Sequence, residues 1–272
     1  MSSKLHSLSP SWSRGIIIML IVALTDNNSN LFGQTLPKDT LNKKRLALVL
    51  GGSGVGYTGM LIGLNKLWYQ GYPKSNFHFI NDNGEWLQID KVGHMWSSYA
   101  YGIAGIEGMK WTGMERKKAI IIGGLAGTLF QTPIEILDGY SAEWGASAGD
   151  LVANSLGSVL AIGQELLWDE QRIQLKYSYW FTSYAALRPE LLGGNLAERW
   201  MKDYNGHTGW LSVNPSSFGA SFFPKWMSLS IGYGGDGMLG GYDNRWTDKN
   251  TGIVYDYTGI QRRRQAYLSV DV

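Results

Sequence analysis

The 272 residues contain no cysteine. That excludes disulfides, thiolate metal sites and cysteine nucleophiles, and it removes the lipobox cysteine on which a lipoprotein would be acylated. Charge is scarce as well: charged residues make up 17% of the chain and the formal net charge is +2. So small a balance gives no electrostatic footprint for nucleic acid, which is not expected as a partner. Histidine is rare, with four in the chain, and the polar constellation described below holds only one. A lone imidazole without cysteine or a second histidine argues against a strong zinc site.

What the chain has in quantity is glycine, at 36 residues, and tryptophan, at 12. Low charge with many Gly and Trp fits close helix packing and aromatic anchoring near a bilayer. At the amino terminus Lys4 and Arg14 flank an 11-residue apolar run, Gly15 to Thr25 (GIIIMLIVALT). That run is too short to span a membrane and reads as a cleaved export signal, residues 1–34, with cleavage between Asn30 and Thr35. A polar linker, 35–43, follows.

Residues 44–168 read as a helical domain and 169–272 as a smaller mixed α/β region. Leu46 to Asn65 has twenty residues without a formal charge and six glycines. The spacings Gly52/Gly56 and Gly59/Gly63 let another helix approach closely. A second helix is expected from Trp86 through Gly105, and a third over Ala119 to Leu137, with Pro133 kinking or starting a segment. A fourth runs from Gly149 to Leu167 after the S-x-x-D start signal of Ser147 and Asp150. The fold class is therefore mainly α: a four-helix, glycine-rich bundle followed by aromatic β-strands. Strand-like alternation appears at Ile173 to Phe181, Trp226 to Tyr233 and Gln265 to Val272. Asn195 and Glu198 suit the cap of a short helix ending at Lys202. The last alternating pattern reaches Val272 without a terminal turn, so continuation beyond it is expected.

Three patterns carry chemistry. Gly54, Gly56 and Gly59 satisfy G-x-G-x-x-G after an apolar run, with Asp82 downstream, as a dinucleotide loop would. The missing parallel strands favour a close-packing helix instead. Gly145-Ala-Ser147-Ala-Gly149 satisfies G-x-S-x-G. With Gly51 to Gly54 as oxyanion hole and Asp236 as base it sketches a patatin-like lipid hydrolase with Ser147 as nucleophile, although 138–144 is turn-like where the elbow needs a strand. The plainer reading of Ser147 is a helix N-cap. The third pattern is distributed: Asp90, Lys91 and His94 on the second helix, Glu135 and Asp138 ending the third, Asp150 and Asn154 beginning the fourth. Asp90/His94 and Asp150/Asn154 are spaced i,i+4 and Glu135/Asp138 i,i+3, so each pair projects from one helix face. Gathered together, they suit acid–base work or a hard metal bound by carboxylates and one histidine. The alternative is a set of groups that satisfy one another and cap helix ends.

FHFINDNGEWLQIDKVGH (Phe77 to His94), PIEILDGYSAEWGASAGDLVANSLG (Pro133 to Gly157), QELLWDEQRIQLKYS and MKDYNGHTGWLSVN together resemble the YfiM-like family, domain of unknown function 2279, described as periplasmic or outer-envelope lipoproteins. The D-K-x-x-H, acidic helix end and D-x-x-A-N-x-x-G set is also similar to VanZ-like membrane proteins. The resemblance implies an exported protein of a Gram-negative cell envelope, in the periplasm or at the outer membrane, in a family without an assigned reaction. Its lipoprotein label does not transfer, for want of a cysteine. The expectation is a membrane-associated protein of structural or ligand-binding character with membrane lipid as partner, in which Lys91 meets a phosphate and Asp90, His94, Glu135 and Asp150 order it or hold a cation. The alternative is a lipid-active hydrolase. The sequence assigns no cofactor, metal identity or protein partner.

Overall fold

The computed structural model describes residues 40–70, 72–248 and 251–271. The expected export signal lies outside the described residues. Asn42 opens helix α1, Lys43–Leu64, its side chain accepting from the backbone N–H groups of Lys44 and Arg45, as an N-cap should. None of the residues of α1 is buried. The helix rests on its neighbours through a few contacts, among them Tyr57 stacked on Phe130 at 4.7 Å and the Arg45 guanidinium over the Trp111 ring at 4.8 Å.

Helix α2, Ile89–Trp111, is the centre of the molecule. Trp86, Leu87 and Gln88 stand in the left-handed region, at φ 48°, 51° and 66°, so the helix begins at Ile89 and not at Trp86. That conformation costs about 1 kcal/mol or more per residue for side chains of this size. It is held from outside: Trp86 N–H donates to the Gly241 carbonyl, Tyr233 Oη to the Leu87 carbonyl, and Arg264 to Gln88 Oε1.

The expected third helix is divided at Leu125 into α3, Arg116–Gly124, and α4, Ala126–Gly139. Pro133 lies within α4 and does not end it. The interruption falls next to Gly123 and Gly124, residues of weak helix propensity that lie against α2. A Cβ on Gly123 would stand 2.4 Å from the Gly105 backbone, one on Gly127 2.0 Å from the Ser98 carbonyl, and one on Gly157 2.2 Å from the Met95 carbonyl. These glycines bring α3, α4 and α5, Ala148–Trp168, against α2. By contrast a Cβ at Gly52, Gly56, Gly59 or Gly63 of α1 would meet nothing within 4 Å among the described residues. The close approach expected of α1 is thus made by other glycines, on other helices. Tyr99, Ile106, Ile120 and Ala161 form the core between them.

Two short strands, β1 (Phe79–Ile80) and β2 (Ala146–Ser147), pair in parallel just before α2 and α5. After α5 come β3 (Ile173–Tyr179), the short helices α6 (Pro189–Leu192) and α7 (Leu196–Lys202), β4 (His207–Val213), β5 (Ser228–Asp236), the hairpin β6 (Arg245–Thr247) with β7 (Val254–Asp256), and β8 (Arg263–Asp271). The antiparallel sheet has the order β3-β4-β5-β8. Its face meets α2, with Tyr177 stacked on Trp96 at 5.0 Å and Gly209 against Val92. The described chain is thus about half helical with an antiparallel β region after the helices.

Candidate functional site

The N-termini of α2 and α5 and the C-terminal turn of α4 meet at one end of the helices, and their polar residues meet with them. Lys91 Nζ is the hub. It lies 2.6 Å from Asp82 Oδ2, 2.8 Å from Asp150 Oδ1 and 3.4 Å from Asp90 Oδ2. His94 Nε2 lies 3.8 Å from Asp90 Oδ1 and 3.9 Å from Asp150 Oδ1, and its Nδ1 is 3.1 Å from Asn154 Oδ1 and 3.7 Å from Glu135 Oε1. A carboxamide oxygen only accepts, so Nδ1 carries the proton and Nε2 is turned between the two aspartates. Glu135 accepts the Ser147 backbone N–H through Oε2 at 3.0 Å, while its Oε1 has no hydrogen-bond partner among the described residues.

Local chemistry explains this placement. The i,i+4 spacing puts Asp90 and His94 on one face of α2. Ser147 caps α5 by accepting the Asp150 N–H at 3.1 Å, which fixes where Asp150 enters. The β1–β2 pair brings Asp82 beside them, so that Ser147 Oγ donates to Asp82 Oδ1 at 2.6 Å. Asp138 faces the same space but bonds elsewhere, accepting from Tyr69 Oη at 2.8 Å.

Burial works against the charge on His94, yet Asp90, Asp150 and Glu135 outweigh it and raise its pKa above the ordinary imidazole value. Desolvation would raise the pKa of Asp82, but the bonds from Lys91 and Ser147 hold it below the usual carboxylate range. Lys91 is likewise raised, burial being overcome by Asp90, Asp150 and Asp82.

Over the cluster opens a cleft of about 330 Å³. Trp68, Tyr72, Trp86, Trp96, Trp144 and Trp200 are among its walls, and Asp90, His94, Asp138 and Asp150 reach it from below. Tyr204, also in the wall, donates to Asp90 Oδ1 at 2.6 Å.

Residues 78–164 match the DUF2279 family model, described as a predicted periplasmic lipoprotein. The match contains Asp82, Asp90, Lys91, His94, Glu135, Asp138, Ser147, Asp150 and Asn154, and it ends within α5. Its description agrees with the exported, cell-envelope location expected from the chain. No curated protein and no solved structure matches.

The structure thus brings Asp90, Lys91, His94, Glu135, Asp150 and Asn154 into contact, with Asp138 at the rim. Ser147 is 1% exposed and engaged with Asp82 and the Asp150 N–H. Its φ of −108° is ordinary extended backbone, not a strained elbow. Asp236 ends β5 and faces Tyr184. Gly51, Gly52, Gly54, Gly56 and Gly59 lie inside α1, so neither an oxyanion loop nor a dinucleotide loop forms there. Sequence reasoning missed Asp82 as a partner of Lys91, and Tyr204. The NDNGEW stretch carried a signal for the first, an acid in a turn before the helix start. The second is 114 residues from Asp90 and had none.

Proposed function

We propose that this is a membrane-associated protein of the cell envelope that receives a polar lipid headgroup in the aromatic-walled cleft above Asp90, His94 and Asp150. The observation behind this reading is where the cleft lies. Leu64 at the end of α1, Asp138 near the end of α4 and Asp150 at the start of α5 all line it. The segments Lys43–Leu64, Arg116–Gly139 and Ala148–Trp168 are each long and apolar enough to cross a membrane by length and composition. A cleft at the ends of three such helices, walled by Trp and Tyr, sits where the headgroups of a bilayer would be. Acidic groups below aromatic faces suit the ammonium part of a headgroup, through charge and cation–π contact. The expected role of Lys91 changes accordingly: its ammonium is taken up by three carboxylates, so it holds the floor of the cleft together and is a poor phosphate hook.

A second reading, acid–base hydrolysis of a lipid at the same cluster, is favoured by one feature, the His94 Nε2 edge between Asp90 and Asp150. Chemistry at Ser147 would need its Oγ released from Asp82.

The test is a titration of detergent-purified protein with short-chain phospholipids of different headgroups, read by tryptophan fluorescence. Saturable binding that depends on the headgroup and weakens at least about tenfold in Asp138→Asn, about 1.4 kcal/mol, is expected. A response set only by acyl-chain length would overturn the headgroup reading.

A further inference from the structure

Asp82, Asp90, Glu135, Asp138 and Asp150 gather at the cluster with Lys91 and His94, and the cleft above is lined further by Glu85, Glu190 and the cation Lys202. Lys91 neutralises one side of the cluster. On the other side Asp90, His94 and Asp150 each offer one ligand atom, all within 4.8 Å of one another, and His94 Nε2 lies 3.8 Å from Asp90 Oδ1 and 3.9 Å from Asp150 Oδ1. Asp150 Oδ1 is 2.8 Å from Lys91 Nζ, yet the hydrogen bond from that ammonium goes to Oδ2, and Oδ1 has none among the described residues.

A second observation points the same way and does not come from those three residues. Glu135 is 3% exposed, its Oε1 has no hydrogen-bond partner among the described residues, and that atom is 3.7 Å from His94 Nδ1, behind the ring edge that faces the aspartates. Buried carboxylate oxygens are rarely left without a partner, because the desolvation cost is uncompensated.

We propose that Asp90, His94 and Asp150 form a site for one divalent cation, with Glu135 on the Nδ1 side of the ring as the negative charge that makes His94 a stronger ligand. Two carboxylates and one imidazole make an oxygen-rich set suited to a hard or borderline ion such as Mn²⁺ or Mg²⁺. The Nδ1 contact with Asn154 fixes the ring so that Nε2 is the ligand, the outer-shell arrangement that metal-binding histidines use. For bonds of about 2.1 Å the three ligand atoms would stand about 3 to 3.4 Å apart, a contraction that side-chain rotation can provide. Nε2 would bind the ion as neutral imidazole, with the hydrogen kept at Nδ1. With the ion in place, Asp138, Glu85 and Glu190 remain as the acidic groups of the cleft that a headgroup ammonium could meet.

The experiment uses the full chain, purified in detergent and stripped with a chelator, and follows Mn²⁺ by loss of the free-ion paramagnetic resonance signal. One Mn²⁺ per chain is expected, with at least a tenfold weaker affinity in Asp90→Asn and in His94→Gln and unchanged affinity in Glu107→Gln, an acid on the same helix but half exposed and paired with Lys110. Electron spin echo of the loaded wild type should carry the modulation of a directly bound nitrogen. That reading decides the case even where a variant fails to fold. Binding well below one equivalent at millimolar Mn²⁺, equal binding in both variants, or a bound ion without nitrogen coupling would each overturn the proposal.

Discussion

His207 illustrates how a single ring supports the wall of the cleft. Its Nε2 is 2.9 Å from the Trp200 carbonyl and its Nδ1 3.0 Å from Tyr177 Oη. A carbonyl only accepts, so Nε2 carries the hydrogen and Nδ1 receives one from the phenol: the ring is satisfied while neutral. The rings of Tyr177, Tyr179 and Tyr204 surround it. Burial lowers its pKa to about 4, against the Trp200 carbonyl and the negative charges of Asp203 and Asp90, which favour the proton. In the unfolded chain the same ring titrates near 6.5. Above that pH neither state binds the proton and stability is full. As pH falls from about 6.5 to about 4 the unfolded chain takes up a proton that the folded one refuses, and stability drops by up to about 3 kcal/mol. Denaturation midpoints at pH 7 and 4.5 should therefore fall further for the wild type than for His207→Gln; equal falls would show that the ring does not matter. At this scale the sequence was informative where side chains share a helix face. Asp90 with His94 and Asp150 with Asn154 could be paired by spacing alone. Asp82, Tyr204 and His207 arrive through β1, the turn after α7 and β4, and no local period announces a contact made across folded chain.

At the scale of the elements, glycine separates helices that fit from helices that merely lie alongside. Gly127→Ala should destabilise by about 1 to 3 kcal/mol or more, because its Cβ would enter the Ser98 carbonyl, which belongs to backbone and has little room to retreat. Gly52→Ala should be neutral or stabilising by up to about 1 kcal/mol, since none of the described residues stands within 4 Å and alanine favours helix. Thermal denaturation in detergent compares the two; equal losses would mean that α1 is packed as tightly as α4. The glycine pattern showed that helices would approach closely but not which ones, because G-x-x-x-G describes a surface and is silent about what occupies it. The S-x-x-D signal gave the start of α5 to within a residue, since a cap is local chemistry. The Asn195/Glu198 cap of α7 was legible for the same reason. The start of α2 was misplaced because Trp86, Leu87 and Gln88 are held in left-handed geometry by Gly241, Tyr233 and Arg264, residues remote in sequence. Strand β4 went unread because His207, Thr208 and Gly209 break the alternation. Gly209 is there because Val92 of α2 leaves no space for a side chain.

For the molecule as a whole, the outer surface of the helices is the feature still to be explained. Val152, Leu156 and Val159 of α5 are 59%, 50% and 63% exposed, and Leu129 of α4 and Val55 of α1 are 63% and 77% exposed. At 1.5 Å per residue α5 is about 30 Å long, the thickness of a bilayer's hydrocarbon core. Its two ends are polar. The Asp150 cluster stands at one, and at the other Glu165 pairs with Lys110 while Arg116 pairs with Asp169. Apolar sides between charged ends are costly in water and favourable in lipid. The triple variant Val152→Gln, Leu156→Gln, Val159→Gln changes only outward side chains, so the core should survive. If each exposed apolar chain contributes about 1 kcal/mol to partitioning, a conservative fraction of full burial, the variant should lose about 3 kcal/mol, or about a hundredfold, in liposome association. Flotation with liposomes measures this directly. Wild-type protein that stays at the bottom of the gradient, or a variant that floats equally well, would separate the cleft from the membrane and leave it a site for a soluble ligand.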